Sequence, residues 1–164
     1  MTSLFRLLMF TTLAYASVVT ELTQAQTTQY ELKSLKPNQQ GIVFQPNGFA
    51  SVTMIFQPDC SWCKKQGKVM ADAYEQCHAS MKVNLVGTRG NARQLRKELK
   101  HYHREIPAYL ADRGFLRKIG GYQASPTTLF FDQKGELVAK QRGYVSPDKL
   151  ASAFSILTNG GCQI

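Results

Sequence analysis

Cysteine is scarce here: four residues in a chain of 164. A small disulfide-stapled scaffold carries cysteine above roughly 8%, so that class is excluded. Tryptophan occurs once, proline six times and glycine twelve times, which leaves no material for a proline- or glycine-rich linker array. No apolar run reaches the ~20 residues that a membrane-spanning helix needs. Acidic residues are also few, eleven against twenty basic ones, giving a net charge of +9. What remains is 43% hydrophobic and 19% charged, the composition of a folded globular chain. Its length suits one domain. The positive excess raises the question of an anionic partner: nucleic acid, lipid headgroups or an acidic protein.

Residues 1–25 read as a secretory signal. Arg6 is the only charge before the apolar run Leu7 to Ala14, and small residues follow. Ala14-Tyr15-Ala16 and Thr23-Gln24-Ala25 both fit a signal-peptidase site, and we place cleavage after Ala25. An uncleaved anchor is the alternative. Export would put the chain in an oxidising compartment such as the periplasm, where disulfides persist. Residues 26–164 form the single remaining domain. Arg6 and Glu21 cancel, so that domain keeps the whole positive excess.

Within it, Tyr30-Glu31-Leu32 is a short extended candidate, and Ser51 to Phe56 is a buried strand. Pro58-Asp59 breaks that strand, and a helix is predicted from Ser61 to about Ala79. Gly67 weakens it by about 1 kcal/mol relative to alanine. Val83 to Val86 is a second strand. Asn91 can cap a helix running to about Arg104. Leu95, Leu99, Tyr102 and Ile106 make its apolar stripe, and Arg93, Lys97, Lys100 and Arg104 its basic one. After Pro107 come a strand at Ala108–Leu110 and a short helix capped by Asp112. Thr127–Phe131 and a return strand from Glu136 form a hairpin, and Ser146-Pro147 starts a last helix. Strand–helix alternation ending in a hairpin predicts an α/β fold: a mixed central sheet with helices on both faces.

Cys60-Ser61-Trp62-Cys63 is the chemical centre. At a helix start, free backbone N–H groups and the positive end of the dipole favour a thiolate at Cys60. Cys63 lies one turn further on and can close a small disulfide ring. Cys60 is then the attacking thiol and Cys63 the resolving one. Lys64 and Lys65 add positive charge nearby, and Asp59 opposes it. Trp62, between the cysteines, is a candidate substrate contact. An isolated C-x-x-C is also half a zinc site, with Cys77-His78, His101 and His103 as further ligands. The Cys63-to-Cys77 spacing matches no compact finger, so no metal and no cofactor are expected.

The segment Phe56-Gln57-Pro58-Asp59-Cys60-Ser61-Trp62-Cys63-Lys64-Lys65 resembles the active-site segment of the thioredoxin superfamily. Gly121-Tyr122-Gln123-Ala124-Ser125-Pro126-Thr127-Thr128, with the hairpin after it, resembles that family's cis-proline segment. Ile106 to Asp112 and the short helix beyond resemble the insertion of the exported TlpA-like and Dsb-like branch. The likeness runs from about residue 41 to 158. It implies a thioredoxin-like fold and thiol–disulfide oxidoreductase activity on protein substrates bearing thiols or disulfides. It implies a cis Pro126 against the dithiol and a Ser125 backbone that pairs with an extended substrate segment. The TlpA-like branch points to a reductase, fed by a membrane thiol carrier. A disulfide oxidase or isomerase, or a non-catalytic binding factor, is the alternative. Thioredoxins proper often carry a buried acid six residues before the first cysteine, where this chain has Met54.

The same resemblance places the active-site helix and the last helix on one face of the sheet, both running away from the dithiol. Cys77 and Cys162 would then meet at the far pole as a structural disulfide, two free thiols or an intermolecular bridge being the alternatives. Of the positive charge, nine basic residues against three acidic ones fall between Arg89 and Lys118. A solvated helix face accounts for such a run, and a docking surface for an acidic partner or anionic lipid headgroups is the alternative. No aromatic platform interleaves it, so nucleic acid is not expected as a partner.

Overall fold

The computed structural model describes residues 30–37, 39, 42–44 and 48–164. Residues 1–25, read from the sequence as a secretory signal, lie outside the described residues. Strands β1 (Tyr30–Glu31) and β2 (Ile42–Phe44) pair antiparallel in a small ribbon. The main sheet holds β3 (Ala50–Phe56), β4 (Met81–Gly87), β5 (Ala108–Leu110), β6 (Thr127–Phe131) and β7 (Leu137–Arg142). Its order is β5-β4-β3-β6-β7. The strands β3, β4 and β5 are parallel, while β6 runs antiparallel to both β3 and β7. The helices are α1 (Ser61–Cys77), α2 (Ala92–Glu98), α3 (Arg113–Lys118) and α4 (Pro147–Leu157).

Strand β3 is central because all seven of its residues are apolar or small enough to be buried on both sides. Its alternation divides the core. Val52, Met54 and Phe56 face a layer with Val69, Met70 and Ala73 of α1, Leu95 of α2, and Leu150 and Phe154 of α4. Ile55 faces the opposite layer with Phe115 and Ile119, from α3 and its C-terminal cap. Helices therefore cover both faces. At the β5 edge, the amide of Leu35 donates to the Ala108 carbonyl and the amide of Leu110 to that of Lys33. At the other edge, β7 is mostly exposed.

The helix predicted from Asn91 to Arg104 is shorter than its apolar stripe. Asn91 and Gln94 form a reciprocal capping box, but α2 ends at Glu98 and tightens into a 3₁₀ turn over Leu99–His101. Tyr102 is already extended, with φ −120° and ψ 162°. That backbone swings its ring onto Phe56, with centroids 5.0 Å apart, and against Gly67. Pro107 then keeps Ile106 out of helical conformation. Tyr102 and Ile106 are buried all the same, from irregular chain. His101 sits on the 3₁₀ turn and His103 beyond it, paired with Glu75 at 2.5 Å.

Candidate active site

The C-terminal ends of β3, β4 and β7 and the start of β6 lie at one end of the sheet, and four chain segments converge there. The first leads into α1. Pro58 cannot continue the ladder, and Asp59 turns the chain at φ 55°, a left-handed value that aspartate tolerates better than most residues. Cys60 is the N-cap of α1, and its Sγ accepts from the Cys63 amide at 3.1 Å. Its carbonyl accepts the first intrahelical bond, from Lys64 N. No acidic residue occupies the first turn of α1. Cys60 and Cys63 are joined, with Cα atoms 5.2 Å apart. Cys60 is half-buried, whereas Cys63 is fully buried in the core.

The second segment is Ser125-Pro126, whose peptide bond is cis. Thr127 pairs with Ile55, which sets Pro126 at the level where β3 gives way to the Cys60 turn. Pro126 is buried and Ser125 half-buried. The Ser125 hydroxyl is hydrogen-bonded to the Tyr122 hydroxyl, which also donates to Gln57 Oε1 at 3.2 Å. Burial pushes the Tyr122 phenol up from its ordinary value, against the opposite pull of the Arg89 guanidinium.

The third and fourth segments follow β4 and β7. The Thr88 amide donates to the Phe56 carbonyl, holding the turn that carries Arg89 beside the Cys60 loop. Arg89 lies over the Tyr122 ring, 4.9 Å from its centroid. Tyr144 follows β7 and meets Trp62, with ring centroids 5.8 Å apart. Trp62 is 55% exposed, unusual for so large an apolar side chain. Lys65 Nζ stands 5.0 Å from the Trp62 ring and 4.7 Å from Tyr144. Lys64 instead reaches the buried Glu98 carboxylate at 3.9 Å.

The structure thus brings Cys60, Cys63, Trp62, Ser125 and Pro126 to one end of the sheet. Cys77 and Cys162 are at the other end, joined and buried, with Cα atoms 5.5 Å apart. Ser80 Oγ donates to the Gly161 carbonyl beside them. Met54 is fully buried in the core, as an apolar neighbour of α1. Sequence reasoning missed Gln57, Arg89, Tyr122 and Tyr144. A position just past a parallel strand's C-terminal end was the available signal for Arg89. Tyr144 had no local signal.

The thioredoxin-like domain family matches residues 37–156, most of the chain. The chain belongs to the thioredoxin-like family. A dithiol at this place in this fold is equipped for thiol–disulfide oxidoreductase chemistry. A comparison with curated protein sequences finds no match. Solved structures give the same fold at low identity. A thiol:disulfide interchange protein from Chlorobium tepidum is 13% identical, with TM-score 0.70, covering 79% of this chain and 93% of its own. The exposed lipoprotein thioredoxin Etrx1 of Streptococcus pneumoniae is 18% identical, with TM-score 0.68, covering 79% and 99%. A secreted disulfide oxidoreductase of Mycobacterium tuberculosis is 14% identical, with TM-score 0.66, covering 81% and 99%.

Proposed function

We propose that this protein is an exported thiol–disulfide oxidoreductase that reduces disulfides in protein substrates. The observation that carries this reading is the asymmetry of the pair. Cys60 is half-buried at a helix N-terminus, and Cys63 is fully buried one turn behind it. In the reduced protein, the Cys63 amide and the helix dipole stabilise a Cys60 thiolate. That thiolate attacks a substrate disulfide. The substrate S–S bond breaks, a Cys60–substrate bond forms, and the first substrate sulfur leaves as a thiolate. Cys63, on losing its proton, attacks the Cys60 sulfur and releases the second substrate thiolate. Two electrons pass to the substrate, whose two sulfurs take up two protons, and the Cys60–Cys63 disulfide forms. A dithiol donor, in this reading a membrane thiol carrier, must then reduce the pair again.

Trp62, Ser125 and Pro126 shape the groove, with the Ser125 backbone offered to an extended substrate segment. Cys77–Cys162 is a structural bridge remote from the chemistry. Residues 1–25 direct export. An exposed lipoprotein thioredoxin and a secreted disulfide oxidoreductase among the structural relatives support that reading.

Replacing Cys63 with serine removes the resolving thiol, so Cys63→Ser is expected to accumulate mixed disulfides through Cys60. The wild type is expected to reduce insulin. Absence of both would leave a binding role. A potential near ~−270 mV is expected for a reductase, and one near ~−120 mV would make the protein an oxidase instead.

A further inference from the structure

Two cations flank the dithiol end of the sheet without a carboxylate partner among the described residues: Lys65 and Arg89. Both are exposed, and both are held on aromatic faces. An aromatic ring occupies one side of a cation and fixes its place, but it leaves the outer side open to an anion. Lys65 shares two rings, Trp62 and Tyr144, brought from α1 and from the segment after β7. Arg89 rests on Tyr122, from the segment before Pro126. Arg89 also holds φ 52°, a left-handed backbone that a long side chain rarely adopts. Such an outlier persists where surrounding structure enforces it, and it collects at functional sites. Among the other charged groups nearby, Lys64 is turned to Glu98, and Asp59 is the acid of the loop before Cys60.

We infer that Lys65 on Trp62–Tyr144 and Arg89 on Tyr122 form a two-post rim that reads negative charge. The preferred substrate is a protein whose reactive cysteine lies in an extended segment with acidic residues on both sides. This deepens the oxidoreductase reading and rests on it. Carboxylates flanking the disulfide would meet an ammonium on one side and a guanidinium fork on the other. The aromatic rings beneath hold each cation in place, so less side-chain freedom is lost when a carboxylate binds. Lysine or arginine at the same flanks would meet like charge and be rejected. A nucleic acid would also meet the cations, but it offers no sulfur to Cys60.

The test uses two peptides with the same internal disulfide, one flanked by glutamates and one by lysines. Rate constants for reduction by the reduced full-length protein are each divided by that peptide's rate with dithiothreitol. The normalised Glu-to-Lys ratio is the readout, because any change in the intrinsic reactivity of Cys60 cancels within it. At low ionic strength the ratio is expected to be about tenfold or more, falling as salt is added. In Lys65→Met/Arg89→Gln it should fall to near one, and in Lys65→Glu/Arg89→Glu it should invert. A ratio near one in the wild type, or one unchanged in the double variants, overturns the rim while leaving the oxidoreductase reading intact. Failure to reduce either peptide overturns that reading and the rim with it.

Discussion

The amide of Val145 donates to Oε1 of Gln66 at 2.7 Å, and both groups are buried. Gln66 lies on the inward face of α1, one turn beyond the dithiol, and Val145 follows Tyr144. One side-chain amide thus ties the active-site helix to the chain that returns from β7. It fixes where Tyr144 stands relative to Trp62. Gln66→Met should keep the volume while orphaning the Val145 amide. The cost of an unpaired buried donor is about 1–3 kcal/mol. Part is returned, because the Gln66 Nε2 group has no partner and its desolvation is relieved. A net loss of about 1 kcal/mol is expected in urea unfolding, with the fluorescence of Trp62 altered. Unchanged stability and fluorescence would show that the bond fixes nothing.

Gly67 is expected to resist substitution. On helix propensity alone, Gly67→Ala should gain about 1 kcal/mol. A Cβ at Gly67, however, would overlap the Tyr102 ring, which is buried against Phe56. Overpacking of this kind costs about 1–3 kcal/mol. The variant should therefore be destabilised, and the loss should shrink when Tyr102→Leu removes the ring. A stabilised Gly67→Ala would contradict that packing.

Alkaline pH should weaken the fold partly through Tyr102. Its phenol is held well above the ordinary 10.0, first by burial and second by the Glu98 carboxylate beside it. A raised folded value means the folded state keeps its proton longer. Stability is then full below about pH 10 and falls as pH climbs beyond it. Tyr102→Phe should flatten that alkaline limb in pH-dependent urea unfolding. Tyr109 and Tyr122 are shifted the same way and should leave a residual slope. Near neutrality the variant should lie within about 1 kcal/mol of wild type, since the hydroxyl it removes is buried without a partner.

Breaking the pair at the far pole tests a different quantity. Cys77 and Cys162 are 85 residues apart in sequence, and loop-closure entropy gives a bridge of that span about 4.5 kcal/mol. Cys162→Ser should lose most of that in equilibrium unfolding. Insulin reduction at temperatures where the variant stays folded should persist, because Cys60 and Cys63 are untouched. Unfolding that matches wild type would mean the bridge constrains little.

Much of this arrangement was legible in the sequence, for reasons that differ by element. The β-branched apolar run at Val52–Phe56 and the cysteine at a helix start are strong local signals, and the structure has β3 and the Cys60 N-cap there. The end of α2 was not legible. Apolar periodicity reports which residues are buried, and Tyr102 and Ile106 stay on the stripe after the helical hydrogen bonds have stopped. Strand β2 was missed because three residues pairing with a distant two leave no readable alternation. Around the dithiol, the residues between and beside the cysteines declared themselves. Arg89, Tyr122 and Tyr144 did not, because only the folded sheet brings their strand ends to the same pole.

In the proposed reaction, the atom that attacks is also the atom that caps. Because Cys60 Sγ accepts from the Cys63 amide, the first turn of α1 is held by the very sulfur that the reaction consumes and regenerates. Helix start and redox state are therefore thermodynamically linked. As a thiolate the sulfur is a stronger acceptor than as a thioether-like disulfide sulfur, so reduction tightens the cap. By the same linkage, a tighter cap stabilises the reduced pair and makes it a poorer electron donor. The reductase proposed here must then cap its own helix only moderately well, and its poise is set as much by one backbone amide as by the chemistry of sulfur.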